Sequence, residues 1–427
     1  MPRFTGILGK DKAFELYWRH VSSGRVEFYK SVGFDVVLGR REGVWVWSLD
    51  GRRLLDAHSN GGVYNLGHRH PEVVEVLREA LDELDIGNHH LVSEQRALLA
   101  EELSGLMPGD LNRVTYSVGG GEAVDFAIKL ARGYTGRREI VYARGAYHGT
   151  TGLAIVAGED YYKKPFEPLA PGFKSVPFGD ADAIEAAVTR DTAAVLLETI
   201  PATLGMPMPP DDYYKRIREI CDEKGCLLIL DEIQTGLGRT GRLWGFEHYG
   251  VIPDIVVLGK GLSGGIYPIS ATVYRDELDD FMRRHPFTHI STFGGSELGC
   301  IVARKVLEIT TRRGFLENVR IRGEELRRGL LRLVEEYPSL LEEVRGIGLF
   351  IGFKTRDEAY GPLLSLAAIN SGLLAVYANN DRSVLQVLPP LIIDGGHVEY
   401  IIESLRKAVA WVYENRELAS AVRSLIP

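Results

Sequence analysis

Three cysteines, five methionines and three glutamines are all that this 427-residue chain contains of those types. Cys221, Cys226 and Cys300 are too few for a disulfide framework, and no Cys/His cluster has zinc-ligand spacing, so no metal is expected. Lysine is also scarce, 13 against 37 arginines. Few Gln, Cys and Met together with many ion-pairing residues suggest a heat-adapted, thermophile source. There is no basic excess: 50 basic residues face 58 acidic ones, for a net charge of −8. That argues against nucleic acid or an anionic membrane as the main partner. There is no long apolar run either. The longest uncharged stretch, 359–380, is broken by Gly361, Pro362, Asn370 and Gly372, so no membrane span is expected. The opening MPRFTGILGKDK lacks the apolar stretch of a signal peptide, and a cytoplasmic location is the expectation.

What is present is an ordinary globular composition, 45% apolar and 25% charged, in a chain long enough for two domains. From about Leu111 to Val273, short apolar runs alternate with helical patterns. The runs are Val114–Val118, Glu139–Tyr142, Ala194–Leu197, Cys226–Leu230, Ile255–Leu258 and Ile269–Val273. The helices include Glu122–Arg132 and Tyr213–Lys224. This alternation predicts an α/β domain with a mainly parallel sheet. Two long helical patterns, Leu298–Thr310 and Phe315–Glu336, and a final amphipathic one, Val398–Arg416, follow. They predict a smaller α+β domain. The expected division is an N-terminal segment 1–65 packing with the small domain, a large domain 66–300 and a small domain 301–427.

In open α/β sheets ligands bind beyond the carboxyl ends of the strands. Asp231 and Glu232 end the run CLLIL, and Lys260 follows DIVVLG between two glycines. Either position alone reads as a cap or a solvated charge. As a pair they suit pyridoxal phosphate. That cofactor needs a lysine for a Schiff base and a carboxylate to keep its ring nitrogen protonated. It also needs an anion site. SVGGGEA, with Gly120 and Gly121 at a helix start, offers backbone N–H groups and a favourable helix dipole. Tyr147 in AYHGTT follows another strand and could stack on a ring. GLGRTG, 236–241, matches a dinucleotide pattern, but Gly245, Gly250 and Pro253 cut the helix such a site requires. It reads as a turn near the site or at a subunit contact. His68, His70, His89, His90 and His148 form no metal set. His68 reads as structural.

Taken together, the blocks GGGEAVDFAIKLARGYTGR, YHGTT, LLILDEIQTGLGRTG, PDIVVLGKGLSGG, HISTFGG and VRGIGLF resemble the class III (ornithine/acetylornithine/4-aminobutyrate-type) aminotransferases of fold type I. The resemblance runs from NLGHRHP to LPPLII, most of the chain. It implies that Lys260 forms the Schiff base and shuttles a proton, and that Asp231 pairs with the ring nitrogen. Gln234 would contact the ring hydroxyl or steady Asp231. Tyr147 and Ile233 would cover the two ring faces, with His148 in the same cofactor set. Gly120 and Gly121 would bind the phosphate, joined by Thr292 of a second subunit, so a homodimer or larger assembly is implied. Glu198 would support the polarity of the substrate pocket.

Departures from the family pattern bear on substrate. Thr150 stands where ornithine-type members commonly carry Arg after YHG. Thr203 falls where a gating Glu is common, and Gln386 where Arg precedes PPL. Gly61 replaces an aromatic, GGG replaces S-G-S/T, and Glu198–Thr199 replaces E-P. Losing arginine–carboxylate contacts, each worth roughly 1.5–3 kcal/mol per hydrogen bond, removes the usual α-carboxylate clamp. Arg382 is one candidate substitute, with a surface charge as its plainer reading. The expectation is an aminotransferase acting on a terminal amine, or on an amino compound held in another way, with a 2-oxo acid or aldehyde as acceptor. An aminomutase or racemase of the same fold stays open as the alternative.

Overall fold

The computed structural model describes residues 4–31 and 33–425. Three sheets organise it. The central one has seven strands: β4 (Leu111–Ser117), β5 (Glu139–Ala143), β6 (Phe173–Val176), β7 (Thr192–Glu198), β8 (Leu227–Asp231), β9 (Ile255–Leu258) and β10 (Ser270–Arg275), in the spatial order 4-10-9-8-7-5-6. Neighbouring strands from β9 through β6 run parallel, and β10 lies antiparallel to both β4 and β9. Each of β7, β8 and β9 is buried along its whole length. This explains their near-continuous Leu/Ile/Val runs: a sheet covered by helices on both faces leaves no face for polar alternation. One apolar cluster packs Leu228, Leu230, Val256 and Leu258 on one face, and another packs Ile229, Ile255 and Val257 with Phe126 and Leu130 on the other.

The Gly120–Thr135 helix leaves β4 and crosses β10, β9 and β7, which points its N-terminus at the carboxyl edge of the sheet. It starts two residues before the predicted Glu122, because Gly120 and Gly121 already have helical geometry. The Tyr213–Lys224 and Phe315–Glu336 helices match their predicted bounds, and the last long helix spans Gly395–Glu414. The sequence pattern missed β6, a four-residue edge strand whose partly exposed FKSV shows no periodicity.

The other sheets have four strands each. β1 (Leu38–Glu42), β2 (Trp45–Ser48) and β3 (Arg53–Asp56) form an antiparallel meander, extended by β13 (Leu373–Leu374) parallel to β3. β11 (Leu341–Ile347), β12 (Phe350–Thr355), β15 (Val384–Val387) and β14 (Val376–Tyr377) form an antiparallel sheet in that order. Val44, Leu55 and Ala57 share a core with Leu326, Phe353, Leu385 and Leu405, so residues from both ends of the chain pack together. No described helix is long and apolar enough to cross a membrane, and no described His/Cys/Asp/Glu cluster could hold a metal.

Candidate active site

Parallel pairing places Glu198 beside Asp231 at the ends of β7 and β8. Both carboxylates are buried. Asp231 Oδ1 accepts the Ile233 N–H at 3.0 Å, and Oδ2 meets His148 Nδ1 at 2.8 Å. His148 Nε2 is buried with no protein partner. Burial opposes a charge on His148, but the Asp231 hydrogen bond and charge prevail and raise its pKa. Glu198 Oε1 accepts the Tyr147 N–H at 2.9 Å. Burial pushes the Glu198 carboxyl up to about 7.

Lys260 stands two residues beyond β9, after Gly259, in a short turn, Lys260–Ser263, at φ +43, a conformation uncommon for a residue with a Cβ. Its flanking Gly261 is required by close approach: a Cβ there would lie 2.6 Å from Asn65 Nδ2. Lys260 Nζ donates to Gln234 Oε1 at 2.6 Å. Burial lowers the lysine pKa, against the opposing charges of Asp231 and Glu198.

At the start of the Gly120–Thr135 helix, no side chain caps the first N–H groups. A Cβ on Gly120 would lie 2.6 Å from Ile233 Cδ1, so only glycine lets the helix start and Ile233 meet this closely. Tyr147 stacks edge-on against Tyr162 at 5.2 Å between ring centres.

These groups line one cavity of about 200 Å³. Nine of the expected residues meet there: Gly120, Gly121, Tyr147, His148, Glu198, Asp231, Ile233, Gln234 and Lys260. Four do not line it. Thr292 is exposed. Thr150 is exposed and hydrogen-bonds the Tyr147 side chain. Thr203 is half-buried, and its carbonyl anchors the following loop by accepting the Asn380 and Asp381 N–H groups at 2.8 and 3.2 Å. Gln386 is buried in β15, paired with Gly352 and Val376. Arg382 lies near Tyr162 and Tyr377 and is not a lining residue. No arginine is among the described residues of the lining. Gly61, at φ +68, faces the lysine, where a Cβ would stand 3.3 Å from Lys260 Nζ.

Sequence reasoning passed over three lining residues: Gly149, Ile200 and Thr235. Two sit inside quoted blocks, YHGTT and DEIQT, next to residues already singled out. Ile200 had no signal. GLGRTG is a turn, as expected, but its Arg239 belongs to the interior and not to the site mouth or an exposed subunit contact. Arg239 is fully buried and donates to Asn65 Oδ1 at 2.6 Å, to the Leu349 carbonyl at 3.0 Å and to the Pro389 carbonyl. It ties three distant segments together. His68 is structural, its Nε2 2.8 Å from buried Asp56 Oδ2.

The arrangement supplies a buried amine of lowered pKa, an anionic acceptor, an unsatisfied imidazole nitrogen and a helix start with free N–H groups. This donor set fits pyridoxal phosphate: amine for aldehyde, carboxylate for ring nitrogen, helix start for phosphate.

The class III aminotransferase family model matches residues 29–409. An uncharacterized aminotransferase from Archaeoglobus fulgidus is 62% identical over 423 residues, 99% of this chain and all of that protein. An ornithine aminotransferase from Toxoplasma gondii, whose structure was described as having partial occupancy of PLP at the active site, superimposes with a TM-score of 0.88 at 28% identity. The match covers 96% of each chain. A thermostable (S)-enantioselective omega-transaminase from Thermomicrobium roseum gives a TM-score of 0.82 at 33% identity, covering 88% of this chain and 93% of that one. All three are aminotransferases or transaminases, which gives the aminomutase or racemase alternative no support.

Proposed function

The chain belongs to the class III aminotransferase family, and from that premise we propose that it transfers the amino group of a terminal amine, or of a compound not held by an α-carboxylate clamp, to a 2-oxo acid or aldehyde. The family depends on pyridoxal phosphate. When bound, this cofactor supplies an aldehyde that condenses with amines and a ring that accepts the electron pair of the substrate C–H bond.

The chain's own residues account for the rest. Lys260 offers its amine to the aldehyde, and its lowered pKa increases the fraction that is neutral and nucleophilic. Once displaced by substrate, the same amine moves the proton at the substrate carbon. Asp231, fixed by the Ile233 N–H and by His148, holds the proton on the ring nitrogen. Glu198, with a pKa about 7, is partly protonated near neutrality and can donate as well as accept a hydrogen bond. Tyr147 and Ile233 both line the cavity and would cover the faces of a flat ring. Gly120 and Gly121 present the helix start to the phosphate. A second copy of the chain would add its exposed Thr292 there.

The observation that carries the donor reading is that no arginine is among the described residues lining the cavity around Lys260. Thr150 and Gln386, where the family pattern commonly has arginine, lie outside this lining, and Gly61 leaves the space beside Lys260 open. Borohydride reduction of the cofactor-loaded protein should label Lys260, and the label should vanish in Lys260→Ala. Steady-state assays with simple terminal amines, 4-aminobutyrate and ornithine test the donor class. Labelling elsewhere, or efficient glutamate–2-oxoglutarate exchange, would contradict the reading.

A further inference from the structure

The turn that opens the Gly120–Thr135 helix contains three consecutive glycines, Gly119, Gly120 and Gly121, and no hydroxyl. A phosphate held there by this turn alone has only backbone N–H donors. The segment after β5 lies against this helix start. Gly149, at φ +114, approaches so closely that a Cβ on it would stand 2.7 Å from Gly121 Cα. Two residues later, Thr151 Oγ1 stands 2.5 Å from the position that a Cβ on Gly121 would take. A hydroxyl borrowed from another segment thus occupies the space that a serine or threonine side chain at position 121 would enter.

The segment is held in place. Asp125, in the first turns of the same helix, accepts the Ala154 N–H at 2.7 Å. Its other oxygen lies 3.4 Å from Thr151 Oγ1, near the outer limit of a hydrogen bond. A hydroxyl bonded that weakly can turn its proton to a stronger acceptor without losing a good partner. Thr151 as a residue is exposed.

We propose that Thr151 donates the side-chain hydrogen bond to the cofactor phosphate that the glycine turn lacks, with Asp125 as the residue that positions it. The inference rests on the cofactor reading given above. It predicts a dependence between positions 121 and 151: a hydroxyl can come from either one, but the 2.5 Å approach leaves no room for side chains at both without a shift.

The test is cofactor affinity, not turnover. The full-length protein is stripped of cofactor and titrated, by absorbance and fluorescence, with pyridoxal phosphate and with pyridoxal, which lacks the phosphate. Thr151→Ala should weaken pyridoxal phosphate binding about tenfold or more, the scale of one hydrogen bond to a charged group, and leave pyridoxal binding unchanged. Thr151→Ser should stay within about threefold of wild type, because the hydroxyl remains. Gly121→Ser should weaken binding by crowding Thr151, and Gly121→Ser with Thr151→Ala should recover it. Unchanged pyridoxal phosphate affinity in Thr151→Ala, or equal losses for both ligands, would overturn the inference. A wild-type protein that binds neither ligand would overturn the cofactor reading itself.

Discussion

Replacing Asp231 by asparagine keeps the shape of the site and removes its charge. The Oδ1 contact to the Ile233 N–H, 3.0 Å, survives in the amide. The other arm, 2.8 Å from His148 Nδ1, changes from an anionic acceptor to an N–H₂ donor. His148 then loses the main partner that holds its pKa up, and only the Glu198 charge is left to oppose burial. The ring nitrogen loses the acceptor that keeps it protonated. A charge-assisted hydrogen bond contributes about 1.5–3 kcal/mol, and about 1.4 kcal/mol corresponds to a tenfold change in rate. The loss at the ring nitrogen alone should therefore slow the amine half-reaction roughly 10- to 150-fold, with the His148 contact adding to it. Because the side chain keeps its volume and one of its bonds, the melting temperature of the cofactor-free protein should move by only a few degrees. Rapid-mixing spectroscopy of the cofactor band measures the rate, and thermal melts measure the fold. A half-reaction within threefold of wild type in a folded Asp231→Asn variant would refute the assigned role.

Other perturbations follow from the same geometry. Burial holds Glu198 and Glu232 at about 7, against an ordinary 4.5, so the folded state keeps protons that the unfolded chain releases between those values. Stability should fall by a few kcal/mol as pH rises from about 4.5 to about 7 and then flatten; denaturant titrations across that range check the sign. Arg239→Met strands the Asn65, Leu349 and Pro389 acceptors and should cost about 3 kcal/mol, read as a shift in denaturation midpoint without a change in slope. Gly120→Ala forces Ile233 Cδ1 away from a 2.6 Å approach and reshapes the cavity that both residues line, so cofactor affinity should drop severalfold while cofactor-free stability changes by less than about 1 kcal/mol.

Local signals made much of the site legible. Asp231 and Lys260 sit at the ends of continuous apolar runs, and strand ends in a parallel sheet converge on one edge, so sequence position alone placed them together. The glycine turn was legible because a helix follows it directly. Long-range contacts left less trace. Nothing in GLGRTG shows that Arg239 reaches residues 65, 349 and 389, because those partners are backbone carbonyls and one side chain far along the chain. The edge strand β6 was illegible because its half-exposed FKSV has no period. Thr203 and Gln386 came from alignment to a family pattern, and the fold puts them in a loop anchor and a strand interior, outside the cavity lining. Motif position locates a residue on an element, but only packing decides which side chains share a cavity.

The central claim is an aminotransferase that does not select its donor through an α-carboxylate. The most direct measurement is the single half-reaction of the cofactor-loaded protein, followed by rapid-mixing absorbance with no acceptor present. A set of terminal amines without an α-carboxylate is compared with glutamate and ornithine. The account predicts that at least one terminal amine reacts with a second-order rate constant more than about tenfold above that of glutamate, the scale of one missing charged contact. Glutamate reacting as fast as, or faster than, every terminal amine in the set would contradict it.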